Sequence, residues 1–176
     1  MAVRVYVGVL VCFLALFLPA CGTNGFKILS NPKPDAEGFL NKDTLQVTAV
    51  GFPSRGSALT PAQRQREAYQ AAEIQSRMRA VDVLMTELQN ENAELYKNVV
   101  EKIGGRFPVE RYEEPYYSPE LLLGGQRADA YFELFSISGY AHTNTYQEGS
   151  GRCFMLYRVV KADLVAHGKS GFGIGN

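Results

Sequence analysis

The chain has 176 residues, a length that suits one domain with an anchor or tails rather than several domains. It carries 18 basic and 18 acidic residues, and this balance argues against the strongly basic surface of a nucleic-acid-binding protein. Because 46% of the residues are hydrophobic, the composition excludes a wholly disordered chain and predicts a packed core.

The first residues have the layout of an export signal. Arg4 precedes an uncharged apolar run at 5–18, which is shorter than the roughly 20 apolar residues that a transmembrane helix needs. The tetrapeptide LPAC at 18–21 resembles a bacterial lipobox, in which the cysteine receives lipid and becomes the new N-terminus. We therefore expect a lipoprotein signal peptide at 1–20 and covalent lipid on Cys21. A plain secretory signal and an uncleaved anchor are the two alternatives.

The residues that follow this cysteine bear on location. One acyl chain binds a membrane only marginally, whereas the several chains of a lipidated cysteine anchor a protein stably. Gly22, rather than an aspartate, comes next, and in lipoproteins with this kind of signal that favours the outer membrane. We expect the protein to be lipid-anchored there, on the periplasmic face. Residues 21–43 are rich in Gly, Asn, Pro and Lys and predict a flexible tether.

A domain at 44–166 is predicted to begin with a strand at 45–52 (LQVTAVGF). Gly51, near the end of this strand, indicates a bend or a close approach by another backbone segment. A helix should follow, because Thr60 is a favourable N-cap and Pro61 suits the first helical position.

The predicted helix has apolar residues at helical spacing, which indicates a helix packed on a sheet. They are Ile74, Met78, Val81, Met85 and Leu88. The first half also carries small residues that would let another element approach closely, namely Ala68, Ala71, Ala72 and Ala80. The apolar spacing continues through Leu95 and Val99 to Gly104. This second half is either a separate helix or a protruding coiled-coil arm.

Residues 106–129 follow no period and predict a long loop, and loops of this length usually have a function or are disordered. Tyrosine is enriched at interface hot spots, so the loop is a candidate contact surface. A loop folded over its own core is the alternative. The candidate residues are Tyr112, Tyr116, Tyr117, Leu121, Leu122 and Leu123.

Two strands at 130–146 and 152–165 predict a closing hairpin, with the sequence QEGSG as its turn. The last strand is apolar on both faces. One face carries Phe154, Leu156, Val160 and Leu164, and the other carries Cys153, Met155, Tyr157 and Val159. One helix covers one face of a small sheet, so a second apolar face indicates another layer, plausibly a neighbouring copy of the chain. The Gly-rich tail at 167–176 is predicted to be flexible.

The element order therefore predicts an α+β fold: a small β-α-β-β domain in which a long helix packs on a mainly antiparallel sheet. Catalytic chemistry is not indicated. His142 and His167 are far apart in sequence and lack partner ligands, so we expect no metal site. No nucleophile motif is present, and we expect neither enzymatic activity nor a cofactor beyond the lipid. Cys153 is predicted to be a small buried hydrophobic side chain.

Four stretches resemble one family: the lipobox at 18–21, VTAVG at 47–51, the alanine-rich helix at 66–88 and YRVVKADLV at 157–165. Together they resemble the Lpp-twenty type of bacterial outer-membrane lipoprotein, a family that includes the flagellar basal-disk lipoprotein FlgP. The resemblance covers 45–165. It implies a structural protein that self-assembles into a ring or disk near the flagellar motor, with further flagellar or envelope proteins as possible partners. The alternative hypothesis is a periplasm-facing module that binds a small ligand or a cell-wall polymer.

Overall fold

The computed structural model describes residues 36–56, 58–103 and 115–166, and it confirms the predicted α+β fold. Four strands form one antiparallel sheet in the order β1-β2-β4-β3. The long helix α1 packs across β2 and β4. The elements in chain order are β1 (Gly38–Asn41), β2 (Thr44–Gly51), α1 (Pro61–Glu91), α2 (Ala93–Lys102), α3 (Pro119–Leu134), β3 (Ser138–Gln147) and β4 (Arg152–Val160).

The start of α1 is the one predicted from sequence. The Thr60 hydroxyl accepts a hydrogen bond from the Gln63 backbone N–H, and the Gln63 side chain accepts one from the Thr60 backbone N–H. This capping box satisfies two N–H groups that a helix terminus leaves without partners. Pro61 occupies the first turn, where its missing N–H costs nothing.

The second half of the predicted helix is a separate helix, α2. The helix is interrupted at Asn92. The side chain of this residue accepts a hydrogen bond from the Leu95 N–H (3.0 Å) and so caps α2. Val99 of α2 is fully buried in the core. The alternative of a protruding arm is therefore wrong for the residues that the structure describes, because α2 packs against the domain.

Gly51 makes the predicted close approach between backbones. A Cβ atom at this position would lie 2.1 Å from the Ala72 nitrogen and 2.4 Å from the Ala68 carbonyl oxygen. The small side chains of Ala68, Ala71 and Ala72, all fully buried, leave the space that β2 fills. The helix and the strand therefore pack at a distance that only glycine permits.

The predicted loop at 106–129 is wrong from Pro119 onwards, where the chain forms helix α3. Ser118 caps it by accepting a hydrogen bond from the Leu121 N–H (3.2 Å). Gly124 and Gly125, which argue against a helix in isolation, face α1: Cβ atoms there would lie 2.5 Å from Met78 Cε and 2.8 Å from Ile74 Cγ2. Contact with α1 thus outweighs the poor helix propensity of glycine.

The predicted strand at 130–146 is correspondingly wrong in its first part. Tyr131 belongs to α3, and its ring lies 4.3 Å from the ring of Phe135, which ends the helix. Both are buried in the core. Aromatic residues favour strands only weakly, and here their burial between helix and sheet decides the conformation. The strand itself begins at Ser138 and, with β4, forms the predicted hairpin.

Two boundaries also differ from prediction. Residues 38–41, assigned to the tether by composition, form β1 and pair with β2. The last strand ends at Val160 rather than at residue 165. Leu164, beyond it, is fully buried, so it joins the core from the helical residues that follow the strand. The remaining tether residues at 21–35 and the tail at 167–176 lie outside the described residues.

Candidate functional site

The sheet has one covered and one open face. Side chains alternate along a strand, so Gly51, which touches α1, identifies the covered face. The covered face is almost completely buried; on β2 and β4 it comprises Leu45, Val47, Ala49, Cys153, Met155, Tyr157 and Val159. Within the described ranges 36–56, 58–103 and 115–166, no helix packs on the opposite face.

The open face has an apolar centre on β4. Phe154 and Leu156 are only partly buried there, and Val160 is 38% exposed. Val50 of β2 lies directly opposite Phe154 in the register. The second apolar face that the sequence predicted is therefore present, but only the centre of the open face is apolar. It is interrupted by Arg158, a cationic residue that the sequence analysis overlooked.

Threonines flank this apolar centre on both sides. Thr48 of β2 and Thr143 of β3 both pair with Leu156, and Thr145 pairs with Phe154. A β-bulge between Ala141 and Thr143 makes this arrangement possible. The extra residue, His142, shifts the alternation of β3, so that Thr143 and Thr145 come to the open face. Sequence alternation alone could not reveal this shift.

These residues line a groove of about 730 Å³. Phe154, Leu156 and Val50 form its apolar floor, and polar side chains of β2 and β3 surround them. Pro115 and two side chains of α1, Gln75 and Arg79, lie at its margin. The full lining is Thr48, Ala49, Val50, Gln75, Arg79, Pro115, His142, Thr143, Asn144, Thr145, Phe154, Met155, Leu156 and Arg158.

The charged side chains at the open-face strand positions are two arginines of β4, Arg158 and Arg152. Arg158 Nε donates to Gln46 Oε1 (2.9 Å), and Arg152 Nε donates to Gln147 Oε1 (3.0 Å). Both partners are neutral amides. No carboxylate occupies any of the open-face positions on the three long strands, which are Thr44, Gln46, Thr48, Val50, Ser138, Tyr140, Thr143, Thr145, Gln147, Arg152, Phe154, Leu156, Arg158 and Val160.

At the β1 margin, a carboxylate connects the strands to the helix. Glu37 accepts hydrogen bonds from the backbone N–H and the hydroxyl of Thr48, and it forms an ion pair with Arg79 of α1. Partial burial acts to raise the pKa of Glu37, but the hydrogen bonds from Arg79 and Thr48 outweigh it and hold the pKa below its ordinary value. Arg79 is thereby fixed at the edge of the groove.

The contact residues that the sequence predicted do not form one surface in the structure. Tyr116 stacks at 5.2 Å on Phe52 and lies under the Arg55 guanidinium at 4.0 Å. The backbone N–H of Tyr117 donates to the Phe52 carbonyl (2.9 Å). Both tyrosines therefore pack on their own domain, as the alternative for this segment proposed. Tyr112 and Cys21 lie outside the described residues.

The three leucines also differ from one another. Leu121 is 1% exposed and belongs to the core, so the expectation of an exposed contact residue is wrong for this position. Leu122 and Leu123 are 38% and 59% exposed. The reason is helical geometry, because consecutive residues of α3 point in different directions and only Leu121 faces inward.

Two groups with a dissociable proton, the Cys153 thiol and the Tyr157 hydroxyl, are buried. Cys153 is 1% exposed, as predicted for a small hydrophobic side chain, and burial raises the pKa of its thiol. Burial likewise raises the pKa of the Tyr157 hydroxyl to about 12. Within residues 36–56, 58–103 and 115–166, no group of three or more His, Cys, Asp or Glu residues is placed to hold a metal ion. In the same ranges, no helix is long and apolar enough to cross a membrane.

Comparison of the chain with protein-family models, with curated proteins and with solved structures found no match. The candidate site is therefore defined by its own geometry: an apolar groove with cationic and hydroxyl-bearing walls, on a sheet face opposite the helix layer.

Proposed function

We propose that this protein is an outer-membrane-anchored structural lipoprotein that self-assembles through the open face of its sheet. One observation supports this function above the others: the partly exposed apolar centre formed by Val50, Phe154 and Leu156. Antiparallel sheets often leave one face in water, and such a face is normally polar. An apolar centre rimmed by polar residues is instead typical of a protein interface.

The association with a flagellar motor is the more specific part of the proposal. It is supported by the resemblance of residues 45–165 to the Lpp-twenty type of lipoprotein. A ring or disk at the outer membrane would give a lipid-anchored domain with an assembly surface a mechanical role. Electron cryotomography of cells that lack the protein tests this part: we expect a motor-associated density to disappear, and unchanged motors with normal swimming would contradict it.

Self-assembly is tested on the full chain extracted in detergent, by mass photometry and light scattering. We expect wild-type protein to form large symmetric particles, and Leu156→Lys to reduce them to small species, because a charge would enter the apolar contact. Thr86→Lys is the matched control, since it adds the same charge at an exposed position of α1. Circular dichroism establishes that both variants fold. A wild-type monomer at micromolar concentration would refute self-assembly.

A second candidate function is a binding module for a small ligand or a cell-wall polymer. The volume of the groove favours it, because about 730 Å³ lies within the range of roughly 300–1,000 Å³ that is typical of ligand pockets. Its test is cosedimentation of the protein with purified cell-wall sacculi. Monomeric wild-type protein that cosediments, together with loss of cosedimentation for Leu156→Lys, would favour this function over assembly.

A further inference from the structure

Exposed apolar side chains gather at two separate places on the described surface. Tyr140 and Val160, 49% and 38% exposed, lie on the open face of the sheet beside the groove. Leu122 and Leu123 lie on the first turns of α3. Both patches are candidate binding surfaces, since contiguous exposed apolar surface usually marks an interaction site.

The two patches belong to different layers of the domain. α3 packs against α1 through Gly124 and Gly125, and α1 covers the face of the sheet opposite the groove. A single copy of the chain therefore presents the leucines on its helix layer and the groove on its open sheet face. Contact between the two patches requires two copies.

One charge of each patch is complementary to the other: Glu120 of the helix patch is an anion and Arg158 in the groove is a cation, while Arg127 lies one turn beyond Leu123, at the opposite end of the patch from Glu120. Glu120 precedes Leu123 by three positions on α3, so the carboxylate and the leucine lie side by side on the helix surface. Glu120 and Leu123 are both exposed. Hydrogen bonds from the Glu120 backbone N–H and from Ser118 lower the pKa of the Glu120 carboxyl. In the groove, Arg158 donates through Nε to the Gln46 amide, and a guanidinium has five N–H donors.

Self-contact between two open faces is less favourable on the same grounds. Such an arrangement would place Arg152 and Arg158 of one copy against the open face of the other, where the strand positions carry no carboxylate. Like charges at an interface cost free energy unless each is paired. The helix patch, in contrast, supplies both an apolar side chain for the groove floor and an anion for Arg158.

We infer that the groove on the open face receives the Glu120–Leu122–Leu123 patch of a second copy of this chain. The inference rests on the proposed function and names the partner of its assembly surface. Because one copy contributes the groove and the next contributes the helix, the interface is heterologous. Repetition of a heterologous contact produces a closed ring when its rotation closes and a filament when it does not.

A mixing experiment distinguishes this interface from a symmetric one. Leu156→Lys places a charge in the floor of the groove, and Leu123→Lys places a charge in the helix patch. Each variant alone should therefore be monomeric in detergent. An equimolar mixture of the two variants should form a one-to-one dimer. The Leu156→Lys chain still has an intact helix patch, and this patch can bind the intact groove of the Leu123→Lys chain. Thr86→Lys, at the exposed position of α1 used above, is the control and should assemble as wild type does.

A charge exchange tests the predicted ion pair in the same assay. Arg158→Glu and Glu120→Arg should each weaken self-association at least about tenfold, and the double variant in one chain should recover to within about threefold of wild type. If Leu156→Lys fails to fold, Thr143→Lys at the exposed groove wall replaces it.

The outcomes separate this inference from the proposed function. A monomeric wild-type protein would refute self-assembly itself, and with it the inference. Wild-type particles accompanied by full assembly of Leu123→Lys would overturn the inference and leave the proposed function standing. The same holds if the two monomeric variants, once mixed, form no dimer.

Discussion

At the scale of single residues, Gly51 controls how closely α1 approaches the sheet. Its missing side chain lets the helix backbone lie where a Cβ atom would stand, 2.1 Å from the Ala72 nitrogen. The opposing atoms are backbone rather than the ends of flexible side chains, so they cannot move aside locally. Any side chain here must displace the helix from β2, and with it the core beneath.

Gly51→Ala is therefore expected to destabilise the fold by about 3 kcal/mol or more, at the upper end of the cost of overpacking a core. The free energy of unfolding is measured by urea denaturation. Gly149→Ala is the control, because a Cβ atom there meets nothing within 4 Å, and its effect should stay within about 0.5 kcal/mol. Equal stabilities of the two variants would show that α1 adjusts freely.

The three leucines that begin α3 show how a single residue's role depends on position. Leu121, Leu122 and Leu123 are chemically identical, yet one lies in the core and two are exposed. Their sequence indicated a contact surface, but the direction of each side chain is determined by the rotation of the helix on α1. For this reason Leu123, and not Leu121, is available to a second copy.

At the scale of elements, the short strand β1 is held to the rest of the domain by Glu37. This carboxylate joins β2, through Thr48, to Arg79 of α1 at the groove margin. The pKa of Glu37 is lower in the folded protein than its ordinary value of 4.5. The ionised form therefore stabilises the fold above about that pH, and this contribution disappears as the pH falls through the lowered pKa.

Glu37→Gln should accordingly lower the free energy of unfolding at pH 7 by about 1 kcal/mol, a modest figure because solvent screens the partly exposed ion pair. At pH 3 the difference from wild type should shrink, since the carboxylate of the unfolded chain, with its ordinary pKa of 4.5, binds a proton and favours unfolding of the wild type. Urea denaturation at both pH values measures it. Glu133→Gln, at an exposed position of α3, should have no effect at either pH. A difference that is the same at both pH values would contradict this assignment.

At the scale of the whole molecule, the proposed function combines two features from different parts of the chain. The lipobox-like sequence at 18–21 would place the protein on the membrane, and the open face with the α3 patch would join one copy to the next. Membrane anchoring confines copies to a surface and so raises their effective concentration. Weak heterologous contacts can then suffice for an extended assembly.

The anchor is tested by Cys21→Ser. We expect this variant to lose incorporation of radiolabelled fatty acid and to leave the outer-membrane fraction, because no other residue of the signal would carry lipid. Cys12→Ser is the matched control, since this cysteine lies inside the predicted signal peptide and should leave lipidation intact. A Cys21→Ser product of mature length that stays membrane-bound would show that lipid is not the anchor.

Local signals in the sequence determined the beginning of α1, the β3–β4 hairpin and the α+β class. Thr60 and Pro61 cap and start a helix through interactions with their immediate neighbours, so no tertiary contact is needed to predict them. The burial of Cys153 and the apolar centre at Phe154 and Leu156 followed from strand alternation in the same way. These features depend on neighbours close in sequence.

Only the tertiary structure decided the rest. Ser118 and Pro119 carry the same start signal as α1, but the low helix propensity of Gly124 and Gly125 argues against a helix in the sequence. The contacts of these glycines with α1 favour the helix in the folded protein. The bulge at His142 and the placement of Arg158 in the groove depend on the register between strands distant in sequence. Strand alternation in the sequence therefore determined that this protein has a second apolar surface. The packing of remote segments decided its shape, its charge and the surface that complements it.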